Sequence, residues 1–121
     1  MKKPPVKFET ATPNPELAQV RDVDVQEVLK LKDQVHIVDV RRPDELTGEL
    51  GHIAGAKHLV LDELPERISE LPKDEPIVFV CRSGGRSGRA TAFALEQGFE
   101  HVFNMKGGML RWNEAGLPVQ R

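Results

Sequence analysis

Two apolar runs dominate the hydropathy pattern of the chain, Val35-His36-Ile37-Val38-Asp39-Val40 and Ile77-Val78-Phe79-Val80. Both are rich in β-branched residues and lack strict polar alternation, as expected of strands covered on both faces of a parallel sheet. Shorter strands are predicted at Asp22-Val23, on an edge, from Lys57 to Val60, and at His101-Val102-Phe103-Asn104. Helical spacing fills the intervals. Asp24 with Glu27 reads as a capping box opening a helix whose apolar face is Val25, Val28 and Leu29. Pro43 starts a short turn through Leu46. Asp62 is predicted to cap a helix with Leu64, Ile68 and Leu71 at i, i+4 and i+7, ended by Pro72. An alanine-rich helix from Ser87 to Leu95 buries Ala90, Phe93 and Ala94 and stops at Gly98. Gly107-Gly108 turn the chain into a last helix, Met109 to Ala115, closed by Gly116 and Pro118. Strands alternating with helices predict an α/β fold, a parallel sheet with helices on both faces. Residues 1–20 contain Pro4, Pro5, Pro13 and Pro15 without an apolar period and read as an extended or partly ordered N-terminal arm; residues 21–121 form the domain.

Composition narrows the function classes. The chain has 121 residues, 39% hydrophobic and 30% charged, suited to one domain with a core of its own. A net charge of −2 gives no support to a nucleic-acid partner. No run is long and apolar enough for a membrane span, so no membrane partner is expected. The basic start Met1-Lys2-Lys3 has no apolar stretch behind it, and the expected location is cytoplasmic. Cys81 is the only cysteine, which excludes an internal disulfide and a paired redox motif. The histidines lack metal-ligand spacing, and neither metal nor cofactor is expected.

The chemistry gathers at Cys81. It ends the second apolar run and is followed by Arg82, Ser83, Gly84, Gly85, Arg86, Ser87 and then the alanine-rich helix. A strand, a tight loop and a helix in that order place the sulfur at a helix N-terminus, where unpaired N–H groups favour an anion. Arg82, Arg86 and Arg89 add positive charge, and no acidic residue occurs between Glu75 and Glu96. Gly84 and Gly85 allow the loop to curl with its amides inward. All of this favours the thiolate, the reactive form. The plainer alternative is an inert core thiol, but packing alone requires neither the glycines nor the arginines. Asp39 and Arg41, at the end of the first run, are candidate supports for the site; the simpler reading is an ion pair that locks a loop. His52 reads as a structural loop residue, Trp112 as packing for the last helix, and Lys106-Gly107-Gly108 as a turn that could border the pocket.

Four segments in order carry a resemblance: Val38-Asp39-Val40-Arg41, Gly51-His52-Ile53-Ala54-Gly55-Ala56, Cys81-Arg82-Ser83-Gly84-Gly85-Arg86-Ser87, and Gly107-Gly108-Met109-Leu110-Arg111-Trp112. Together they resemble the single-domain rhodaneses, the thiosulfate sulfurtransferase family. The resemblance spans residues 22–119 and leaves the arm outside. It implies a rhodanese-like three-layer sandwich with a five-stranded parallel sheet. It further implies a sulfurtransferase in which Cys81 takes sulfane sulfur from a small anionic donor such as thiosulfate. The persulfide then passes its sulfur to cyanide or a thiol, or to a protein acceptor.

Loop length separates the alternatives. In the cysteine phosphatases that share this fold, the arginine follows the cysteine by six positions. Here Arg86 follows Cys81 by five, a smaller ring suited to a single sulfur. Arg82 directly after the cysteine resembles the thiosulfate-using type. Competing readings are a persulfide carrier serving a partner protein, a regulatory binding domain, and a phosphatase or arsenate reductase-like enzyme.

Overall fold

The two apolar runs pair with each other at the centre of the sheet. The computed structural model describes residues 2–121; Met1, the first residue of the predicted arm, lies outside them. In chain order the strands are β1 (Thr12–Pro13), β2 (Arg21–Val23), β3 (His36–Asp39), β4 (Lys57–His58), β5 (Ile77–Val80) and β6 (Val102–Met105). The helices are α1 (Val25–Lys30), α2 (Pro43–Leu46), α3 (Leu64–Arg67), α4 (Gly85–Glu96) and α5 (Gly108–Glu114). The sheet order is β1-β2-β6-β5-β3-β4. Every pairing is parallel except that of β1 with β2.

Side chains alternate across the sheet and divide the core in two. Val78 and Val80 of β5 face one layer with Val25 and Val28 of α1 and Met109 and Trp112 of α5. Ile77 and Phe79 face the other with Leu64 of α3 and Ala90 and Ala94 of α4. This is the expected three-layer sandwich. The five parallel strands are present, and the arm adds a sixth, so the sheet is mixed. Asp22-Val23 is therefore not an edge, because β1 lies outside β2.

The arm is held by specific contacts. Phe8 is buried, its ring centroid 4.7 Å from that of Phe103. Glu27 accepts from the backbone N–H of Glu9 at 2.7 Å and of Thr10 at 2.9 Å. The predicted capping box is thus only half formed. Asp24 caps α1 by accepting from the Gln26 N–H, while Glu27 serves the arm instead.

The predicted helix from Asp62 to Leu71 also differs. The Leu61 N–H bonds the carbonyl of Val40, the residue after β3, and the chain turns through 3-10 segments at 61–63 and 68–70. Leu64, not Asp62, opens the short α turn, with Pro65 in its first turn where no N–H is required. Among the described residues no helix is long and apolar enough to cross a membrane.

Candidate active site

Cys81 is the first residue beyond β5, and α4 begins four residues later. Gly84 makes the turn between them with φ of +102°, a conformation costly for any residue with a Cβ. That conformation turns the Gly84 N–H inward, where it donates to Cys81 Sγ at 3.0 Å. The first-turn amides of α4, those of Gly85, Arg86 and Ser87, have no intrahelical acceptor and carry the positive end of the helix dipole. The loop carbonyls are drawn the other way. Cys81 O accepts from the Met109 N–H at 2.8 Å and Arg82 O from the Leu110 N–H at 3.0 Å. The start of α5 therefore pins the outer side of the loop. The fit depends on Gly108, where a Cβ would lie 2.5 Å from both carbonyl oxygens.

Behind the sulfur lies a buried polar chain. Ser87 Oγ is 3.2 Å from Cys81 Sγ and 2.6 Å from Asn104 Oδ1. Asn104 Nδ2 donates to Asp22 Oδ1 at 2.9 Å, and Asn14 Nδ2 donates to the same carboxylate at 3.0 Å. Cys81, Ser87, Asn104 and Asp22 are all buried. Sequence reasoning missed Asn104, Asp22 and Asn14. A polar residue inside an otherwise apolar strand, as Asn104 is in β6, was the available signal.

A loop of this build on this sheet has known counterparts. Residues 24–115 match the model of the Rhodanese-like domain family. This chain belongs to that family. It is 41% identical over 87 residues to a sulfurtransferase of Allochromatium vinosum, covering 72% of this chain and 79% of the relative. It is 30% identical over 99 residues to thiosulfate sulfurtransferase GlpE of Vibrio cholerae, covering 82% and 92%. Among solved structures, a rhodanese-related protein from Thermoplasma volcanium superimposes with a TM-score of 0.76 at 28% identity, covering 82% of this chain and 96% of that one.

The charges in this rhodanese-like domain are distributed differently from the sequence expectation. Arg86 does not face the cradle unpaired. Its guanidinium makes two bonds to Glu45 of α2, Nη1 to Oε1 at 2.7 Å and Nη2 to Oε2 at 2.9 Å. Glu45 supplies the acidic partner that the local sequence lacks. The bonds from Arg86 hold its carboxyl down at about 2, and the carboxylate in turn raises Arg86 above its ordinary value. Arg82, Ser83, Gly85 and Arg89 are exposed.

Asp39 and Arg41 form a buried ion pair, Nη2 to Oδ2 at 2.8 Å. Arg41 also donates to the carbonyl of Gly51 at 2.7 Å and of Glu45 at 3.3 Å, fixing the loops beside the site. This is the loop-locking role. The ring of His52 meets the Leu46 carbonyl at 2.9 Å, and Trp112 Nε1 donates to Pro118 O at 2.9 Å. Among the described residues no cluster of three His, Cys, Asp or Glu side chains could hold a metal.

Two depressions flank the cysteine loop. One, of about 310 Å³, is lined by Arg41, Glu45, Arg82 and Leu110 among others. The other, of about 420 Å³, includes Gly84, Gly85, Arg89, Asn104 and Lys106, with Asn14 and Leu17 of the arm as its far wall.

Proposed function

We propose that this rhodanese-like domain is a sulfurtransferase that carries sulfane sulfur as a persulfide on Cys81, with thiosulfate or a related anion as donor. The observation that carries the reading is the placement of the single cysteine. Its sulfur accepts an inward loop amide at the N-terminus of α4, in a family whose named relatives include sulfurtransferases.

The steps follow from the residues present. The Cys81 thiolate attacks the outer sulfur of thiosulfate, the sulfur–sulfur bond of the donor breaks, and sulfite departs with the bonding pair. Cys81 is left as a persulfide anion. The amides of Gly84 to Ser87 are the donors available to that charge, acting as fixed dipoles. Arg82 and Arg89, exposed on the loop and on α4, are the cations free to meet the sulfonate oxygens. Cyanide, or a thiolate acceptor, then attacks the terminal sulfur and regenerates the Cys81 thiolate. A protein thiol as acceptor uses the same second step.

A phosphate-transfer reading is less well supported. The loop arginine that would clamp phosphoryl oxygens is bonded to Glu45. The test is thiocyanate release from thiosulfate and cyanide by the wild type and by Cys81→Ser. Release by the wild type alone supports the proposal. Equal release by the variant overturns it.

A further inference from the structure

The polar chain behind the sulfur has a direction, and the direction restricts where one proton sits. Asp22 is buried, and as a carboxylate it can only accept. The nitrogen of Asn104 must therefore face it, and Asn14 Nδ2 reaches both oxygens of the same carboxylate at 3.0 and 3.3 Å. With its nitrogen committed, Asn104 presents its oxygen to Ser87 Oγ at 2.6 Å. An amide oxygen also only accepts, so the single hydroxyl proton of Ser87 points at Asn104. Cys81 Sγ, 3.2 Å from that hydroxyl oxygen, then faces a lone pair.

A thiol satisfies this arrangement by donating S–H to Ser87 Oγ. A sulfur anion does not. To serve the anion, Ser87 must turn its O–H toward sulfur and leave a buried Asn104 oxygen unpaired, or the amide must reverse and set its oxygen against the Asp22 carboxylate. Either rearrangement is unfavourable in a buried site. We propose that Asn104, held by Asp22 and Asn14, is a positioning residue that keeps the Ser87 proton away from Cys81 while the cysteine is a thiol. The Ser87 hydroxyl is thereby withheld from the sulfur, and the Gly84 N–H remains as the donor that reaches it. Asn14 and Asp22 both precede residue 24, where the match to the family begins. The arm thus reaches the cysteine through hydrogen bonds from outside the matched region.

The inference rests on Cys81 being the reacting sulfur of the proposed function, but its test needs no sulfur donor. The probe is iodoacetamide, and the readout is the alkylation rate of Cys81 on the acid side of its pH–rate profile. Asn104→Ala leaves the charges around the loop in place, those of Arg82, Arg89, Lys106, Asp22 and the Arg86–Glu45 pair, whereas Asp22→Asn also removes a negative charge, an effect that the Ser87→Ala background measures separately. Removing the acceptor with Asn104→Ala frees Ser87 to donate to sulfur. One hydrogen bond to an anion shifts the ionisation about tenfold. The stabilised thiolate is a weaker nucleophile, which leaves a net acceleration of about threefold. Asp22→Asn allows the amide to reverse and should also accelerate alkylation. In a Ser87→Ala background Asn104→Ala should no longer accelerate it, because the donor is gone, and Asp22→Asn should accelerate it less than in the Ser87 protein, leaving only the effect of the lost charge. Rates equal to or below the wild type in both single variants would overturn the proposal, as would an acceleration that is undiminished without the Ser87 hydroxyl. If thermal melting shows Asn104→Ala unfolded, the near-isosteric Asp22→Asn, alone and with Ser87→Ala, decides the question. Failure here leaves the sulfurtransferase reading standing, since thiocyanate release is measured separately.

Discussion

Glu45 and Arg86 face each other with two parallel hydrogen bonds, at 2.7 and 2.9 Å, across 41 positions of sequence. The pair joins α2 to the first turn of α4 and so fixes the end of the loop that holds Cys81. Its folded-state carboxyl lies at about 2, below the ordinary 4.5. A depressed carboxyl contributes stability that is fully present above about 4.5 and is lost as pH falls towards 2. Glu45→Gln should therefore lower stability at neutral pH by about 2 kcal/mol, the scale of hydrogen bonds to a charged group. Denaturant melts at pH 7 and across the acid window check this. The gap between variant and wild type should narrow as the pH is lowered; a constant gap would mean that the ion pair is not its source.

Gly108 sets how closely α5 approaches the cysteine loop. At φ of +58°, with a Cβ required to sit 2.5 Å from the Cys81 and Arg82 carbonyl oxygens, alanine cannot be accommodated without moving the loop. Gly108→Ala should cost about 1–3 kcal/mol in stability through backbone strain. It should cost more in activity, because a displacement of about 1 Å at a reacting group is worth on the order of a hundredfold in rate. Thermal melts alongside thiocyanate release separate the effects. Full activity in a folded Gly108→Ala protein would show that α5 does not hold the loop.

Arg41 should matter for stability before chemistry. It is 1% exposed and joins Asp39 to the carbonyls of Gly51 and Glu45. Arg41→Ala leaves the Asp39 carboxylate buried without its cation and should cost about 3–5 kcal/mol. Urea melts measure it. A loss below about 1 kcal/mol, the range of exposed ion pairs, would contradict the buried-pair account.

How far the sequence could be read depended on how local each signal was. β3 and β5 were legible because their apolar runs are covered on both faces, and Cys81 because glycines and arginines follow it directly. The Ser87 contact with sulfur lies within that same stretch. Glu45 was not legible as the partner of Arg86, since nothing local pairs residues so far apart. Asn104 lies 17 positions beyond Ser87, and Asp22 lies 82 positions before Asn104. Parallel pairing of β2 beside β6 brings these residues together, through a register that sequence spacing does not encode. The capping box at Glu27 failed for a related reason. Its carboxylate satisfies the Glu9 and Thr10 amides of the returning arm, a tertiary contact that outcompetes the local one.

The central claim is that Cys81 carries the transferred sulfur, and intact mass spectrometry tests it most directly. The wild-type protein is incubated with thiosulfate, freed of excess donor and weighed, then treated with cyanide and weighed again. The account predicts a gain of one sulfur atom that peptide mapping places on Cys81, removed by cyanide with release of an equal amount of thiocyanate, and no gain in Cys81→Ser. An unchanged wild-type mass, or a sulfur retained by Cys81→Ser, would contradict it.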